Sequence, residues 1–286
     1  MGIKEYIQQY IQDCRTRGLA PRTIEGYEDM LNDFYDFMLK ERHPKIDSIA
    51  YKAYISHLVS LERKAGTIRL YSIILKGFYV YLNRKCEHPV NENNLPLYKA
   101  SLPKIENIEK TDIERLIGSV KGKDETAKRN RAILHLLTTS GLRASEICNL
   151  NRRDILVNEE GNVEITVRGK GQKDRVAHTT DKAKRAIDMY LSSRTDSKEA
   201  LFVVDRTRRI GRHLIWYIVK RNAKQVGLNN VSPHTLRHYT ATELLRRGVN
   251  TSVVQKIMGH ANISTTQRYT HITDRDASKV YNAVMG

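Results

Sequence analysis

The sequence predicts a mainly α-helical chain with a small antiparallel sheet, divided into an N-terminal four-helix domain and a larger α+β domain. Three observations predict it. Apolar residues recur at helical spacing through the first ninety positions. One stretch, about 154–178, alternates apolar and polar residues as a strand with one buried face does. Between the two lies a polar break punctuated by prolines. With 286 residues, 40% of them hydrophobic and 28% charged, the chain can bury a sizeable core under a well-solvated surface.

The first helix is read from Ile3, Tyr6, Ile7, Tyr10 and Ile11, and the second from Ile24, Tyr27, Leu31, Phe34 and Met38. Pro21 suits the first turn of that second helix, where its missing N–H leaves nothing unpaired. Tyr51, Tyr54, Ile55 and Leu58 mark a third, and Ile68, Tyr71, Ile74, Leu75, Phe78 and Leu82 a fourth. Four amphipathic helices on short connections make a small bundle over 1–86. His88-Pro89, Asn91 to Asn94, Leu95-Pro96 and Leu102-Pro103 then break the period, so 87–105 reads as a linker.

The second domain spans 106–286. Thr111-Asp112-Ile113-Glu114 has the form of a capping box opening a helix. Ala132 to Leu137 reads as a buried helix that stops at Ser140-Gly141. Val163, Ile165 and Val167 define the strand, with turns at 158–161 and 169–172. Helices return over Thr180–Ser192 and His213–Val226, on either side of the short apolar run Ala200–Val204. Several short helices follow Pro233.

Composition excludes several classes. No stretch approaches the roughly 20 apolar residues of a membrane span, and no apolar signal-peptide core opens the chain. Met1-Gly2 suggests myristoylation, but that motif wants Ser or Thr where Tyr6 stands. Cys14, Cys86 and Cys148 are scattered, without metal-ligand or redox spacing, which points to reduced thiols and a cytoplasmic setting. Formal net charge is +17. Residues 1–100 hold 15 Lys+Arg against 12 Asp+Glu, and the remaining 186 hold 34 against 20. An excess so concentrated favours a polyanion, because each neutralised phosphate releases counterions.

Four local signatures carry chemistry. Ser140-Gly141-Leu142-Arg143-Ala144-Ser145-Glu146 places an arginine just after a glycine-stopped helix, where its planar fork suits paired phosphate oxygens. Gly169-Lys170-Gly171 puts a lysine at the tip of the predicted hairpin. Ser232-Pro233-His234-Thr235-Leu236-Arg237-His238 combines an N-cap with His234 and Arg237 on one helix face. His234 and His238 have the spacing of helical zinc ligands, but Thr235 stands where a metalloprotease needs Glu. Met258-Gly259-His260 precedes Thr265-Thr266-Gln267-Arg268-Tyr269. Taken singly, each has a simpler explanation: a surface arginine, a solvated hairpin tip, a core histidine, one packing tyrosine among 15.

Their order is another matter. Arg, hairpin Lys, His-x-x-Arg, Gly-His, and Tyr nine positions after that His resembles the tyrosine recombinase, or phage integrase, family over nearly the whole chain. The resemblance is closest to its short Xer-type and archaeal or plasmid members. Met258 stands where Leu is usual, and Tyr239 replaces a smaller residue. The resemblance implies a helical core-binding (SAM-like) DNA-binding domain over 1–86 and an α+β catalytic domain with a C-terminal tail over 106–286. It implies Tyr269 as the nucleophile and Arg143 and Arg237 as the phosphate-holding pair. Lys170 is implied as general acid, His234 and His260 as hydrogen-bond donors or proton carriers, and Glu146 as support for Arg143.

The family's strand transfer needs no cofactor, ATP or metal. The implied partners are double-stranded recombination sites, bound by a homotetramer on two DNA sites, with no membrane. The tail, with Ala277, Val280, Tyr281 and Val284 at helical spacing, would pack on a neighbouring protomer. Arg22, Arg69, Lys76, Arg208, Arg209 and Arg212 are candidates for DNA contacts. Two rival readings are a type IB topoisomerase, which shares the phosphotyrosine chemistry, and a non-catalytic DNA-binding protein. The four-helix domain and short tail favour the recombinase over the first, and the six matching positions favour it over the second.

Overall fold

A computed structural model describes residues 2–43, 45–85, 90–100, 108–168 and 174–259. The chain divides into two compact units, Met1–Lys104 and Ile105–Gly286. The fold is mainly α with a small antiparallel sheet, as the periodicities predict.

The first unit is built from α1 (Ile3–Thr16), α2 (Pro21–Lys40), α3 (Ser48–Ser60) and α4 (Ala65–Lys85). Pro21 occupies the first turn of α2. Asp47 caps α3, its carboxylate accepting from the backbone N–H groups of Ile49 and Ala50 at 3.0 and 2.9 Å. The core is rich in aromatic rings, with Tyr10, Phe34, Tyr51, Tyr54, Phe78 and Tyr79 all buried. A buried phenol needs a partner for its O–H: Tyr51 donates to the Pro96 carbonyl at 2.7 Å and Tyr79 to the Asp47 carbonyl at 2.9 Å.

Tyr51's partner lies within the stretch read as linker. Residues 90–98 strap across the bundle: Asn83 exchanges two hydrogen bonds with the Val90 backbone, at 2.7 and 2.9 Å. The Tyr98 N–H donates to Ser72 Oγ at 3.1 Å, and Leu95 is 0% exposed within the bundle core. The prolines do end the helical period, but the apolar residue between them has a core to enter.

The second unit runs α5 (Lys110–Gly118), α6 (Glu125–Thr139), α7 (Ala144–Asn149), β1 (Ile155–Val157), β2 (Val163–Val167), β3 (Arg175–Thr179) and α8 (Asp181–Leu191). It continues with β4 (Val203–Val204), β5 (Arg208–Arg209), α9 (Arg212–Gln225), α10 (Pro233–Arg246) and α11 (Thr251–Met258). Through its middle α6 is enclosed on every side: Ala132, Ile133, Leu134, Leu136 and Leu137 are all fully buried, as befits a central helix. α8 packs along it. The sheet has the order β1-β2-β3, antiparallel throughout. Val163, Ile165 and Val167 face the core, and their cross-strand partners Thr179, Ala177 and Arg175 share that face.

Two features differ from the sequence reading. α5 opens two residues earlier than the box at Thr111: Glu109 is the cap, and Asp112 accepts from its backbone N–H at 3.1 Å. A second, two-stranded sheet, β4 with β5, begins at the end of the apolar run at 200–204. Its turn takes positive φ at Asp205 and Arg206, 51° and 58°. Hairpin turns with that backbone usually carry Asn or Gly, so this sequence conceals it.

Candidate active site

Two glycine corners meet to form the base of the site. Gly141, just past the end of α6, has φ +63°, and Gly259, the C-cap of α11, has φ +62°. A side chain in that left-handed region costs about 1–2 kcal/mol, which explains a glycine at both. A Cβ added at Gly141 would lie 2.6 Å from Met258 Sδ, so the corners touch.

Arg237 joins them. It sits in the second turn of α10, whose start is fixed by Pro233 and by Ser232 Oγ accepting from the Thr235 N–H at 3.2 Å. Only 3% exposed, Arg237 donates from Nη1 to the Gly141 carbonyl and from Nη2 to the Met258 carbonyl. Arg143 is the N-cap of α7 and reaches the same place, its Nη2 donating to the Gly259 carbonyl at 3.3 Å. Positions 94 apart in sequence are thereby held against one turn of backbone.

Glu146 organises the arginines. One carboxylate oxygen accepts from Arg143 Nη1 at 3.0 Å, and the other from the Arg143 backbone N–H at 2.7 Å. That second oxygen also accepts from Arg175 Nη2 at 3.0 Å. Burial alone would push the Glu146 carboxyl upward. The Arg143 N–H and the charges of Arg175 and Arg143 outweigh it and hold the group below the usual carboxylate range. Three guanidinium groups thus surround two corners with one carboxylate among them, a fixed positive field suited to a tetrahedral anion.

Arg175, which joins this cluster through Glu146, was passed over by sequence reasoning. The signal was present: it lies opposite Val167 on the buried face of the sheet, where a charge needs a specific partner. Only the register reveals it.

His234 stands exposed on the first turn of α10, three residues before Arg237. His238 is buried, with Nδ1 3.1 Å from Thr242 Oγ1, and burial lowers its pKa. It serves the core, which removes the two-histidine zinc pattern. Among the described residues no cluster of three or more His, Cys, Asp or Glu is placed to hold a metal, and no helix is long and apolar enough to cross a membrane. Cys14 and Cys148 are free and buried, and burial raises the Cys148 thiol to about 11. Lys170, His260, Tyr269 and the tail from Thr270 onward lie outside the described residues.

Of the candidate DNA contacts, Arg22 is exposed on the first turn of α2 and Arg212 on the first turn of α9. Arg69 and Lys76 donate to the Tyr98 and Glu92 carbonyls at 3.1 and 3.3 Å, steadying the strap. Arg208 extends into solvent beside Asp205, 3.8 Å away. Arg209 is exposed and also tied to the fold. Its guanidinium donates to the carbonyls of Cys148 and Leu150 at 3.1 and 2.9 Å and to Asn151 Oδ1 at 2.6 Å. Those bonds satisfy carbonyls at the end of α7.

A model of the phage integrase family matches residues 106–276, and a model of the phage integrase N-terminal SAM-like domain matches residues 7–85. The tyrosine recombinase XerC of Thermodesulfovibrio yellowstonii is 31% identical, over 97% of this chain and 95% of its own. The tyrosine recombinase XerA of Pyrococcus horikoshii is 31% identical over 99% of this chain and 96% of its own. The crystal structure of the XerH site-specific recombinase bound to palindromic difH substrate covers 97% of this chain and 83% of its own, with TM-score 0.74. At 20% identity that is a likeness of fold.

Proposed function

The chain belongs to the phage integrase family of tyrosine recombinases, the enzymes of site-specific DNA recombination, and from that membership we propose how its own residues perform the reaction. Tyr269 attacks the scissile phosphate, forming a 3′-phosphotyrosine and releasing a 5′-hydroxyl. The phenol ordinarily titrates near 10, so its deprotonation depends on a strongly positive site. Arg143 and Arg237 stabilise the charge on the non-bridging oxygens of the five-coordinate transition state. Lys170 gives its proton to the leaving 5′-oxygen, while His234 and His260 donate hydrogen bonds to the phosphate or pass protons. Glu146 keeps Arg143 aimed.

Attack by a second strand's 5′-hydroxyl on the phosphotyrosine completes the exchange. The bond energy stays in the covalent intermediate, so ATP and metal have no step to perform. One observation carries this reading: Arg143 and Arg237, from distant segments, meet at the Met258–Gly259 corner, the residue before His260.

Residues 1–86 serve as the core-binding domain and 106–286 as the catalytic domain, with 87–105 between them. Arg22, Arg69, Lys76, Arg208, Arg209 and Arg212 contact phosphates. Double-stranded recombination sites are the partner, bound by a homotetramer on two sites in the cytoplasm, with the tail exchanged between protomers. The test is a nicked suicide substrate in EDTA. Wild-type protein is expected to form an SDS-resistant DNA adduct and Tyr269→Phe none. An adduct that persists in Tyr269→Phe would refute the mechanism.

A further inference from the structure

Arg175 begins β3 on its inward face, opposite the buried Val167. A guanidinium on the core side of a sheet is costly unless an acid meets it, and Glu146 does so at 3.0 Å. The same carboxylate holds the Arg143 side chain and the Arg143 backbone N–H. Arg175 also lies flat against the second glycine corner: a Cβ at Gly259 would come within 2.5 Å of its Nε. Its Nη1 is enclosed and has no hydrogen-bond partner among the described residues. An enclosed, unpaired donor lowers stability, so packing alone gives no reason for an arginine here.

We infer that Arg175 is a positioning residue for strand transfer, acting through Glu146 to fix Arg143 and across Gly259 to fix the corner that precedes His260. Without it, Glu146 keeps only its bonds to Arg143 itself, Oε2 to the N–H and Oε1 to Nη1, and loses the contact that ties the carboxylate to the sheet. The Arg143–Glu146 pair can then shift together away from the corner. Small misplacements of a charge-stabilising group are expensive in rate and cheap in affinity, because the transition state demands the geometry more than the bound duplex does.

The inference rests on the proposed reading of Arg143 as phosphate-holding. Its test is single-turnover adduct formation on the suicide substrate at saturating DNA, with Arg175→Gln, Arg175→Lys, Glu146→Gln and the double variant Arg175→Gln/Glu146→Gln. Arg175→Gln is expected to slow adduct formation about 100-fold, with half-saturating DNA concentration unchanged. Arg175→Lys should recover part of the rate while staying about tenfold or more below wild type. The double variant should be no slower than the slower single, since both changes break one chain of contacts.

A wild-type rate in Arg175→Gln, a loss confined to affinity, or penalties that multiply would each overturn the inference. If Arg175→Gln fails to melt cooperatively, Arg175→Lys decides. A loss of about tenfold or more at unchanged affinity upholds the role, and a smaller one overturns it. Absence of any adduct from wild-type protein would instead overturn the assignment of Tyr269, and this inference with it.

Discussion

Glu146 is a carboxylate set among guanidinium groups, and its titration should register in stability. Its folded-state pKa lies below the ordinary value, so its contribution is fully present above the unfolded pKa of about 4.3 and is lost as pH falls through the folded value. Urea unfolding of wild type and Glu146→Gln between pH 7 and pH 3 should therefore converge at the acid end. A gap independent of pH would contradict the ion-pair account. The glycine corners make a separate prediction. Gly259→Ala places a methyl against the Arg175 guanidinium in left-handed backbone, and should cost about 1–3 kcal/mol in chemical denaturation. At this scale the order of residues along the chain singled out Arg143 and Arg237, which the fold brings to one corner. It did not single out Arg175, nor show that Arg209 bonds the end of α7. Whether an arginine faces a phosphate, a carboxylate or a helix end depends on register and packing, which a single position does not encode.

Among the elements, the four helices of the first unit were legible because each buries one face at a period of 3.6 residues, and β2 because its apolar residues alternate. β4 and β5 were not, since two-residue strands have no period and their turn lacks Asn-Gly. The strap at 90–98 was hidden for a related reason: one buried leucine among prolines and asparagines leaves no pattern. Its contribution is measurable. Leu95→Ala removes a fully buried side chain and should destabilise the first unit by about 2–4 kcal/mol, read as a lower urea midpoint. Loss of under about 0.5 kcal/mol, the range of ordinary surface changes, would mean that the strap rests on the bundle without supporting it.

For the molecule as a whole, the +17 charge predicts binding that weakens steeply with salt. Replacing Arg22 or Arg212 by Ala should reduce the slope of log affinity against log salt by about 1 each. An unchanged slope would mean that the side chain touches no phosphate. The three-way meeting of Gly141, Arg237 and Met258 has a kinetic consequence. The Arg237–Gly141 contact closes a loop of 96 residues and the Arg143–Gly259 contact one of 116. Loops of that size form slowly and late, after local helices have already appeared. During synthesis, a chain that has emerged only as far as α9 would hold folded helices but no assembled phosphate grip. The enzyme would then acquire its capacity to cut DNA among the last events of its folding.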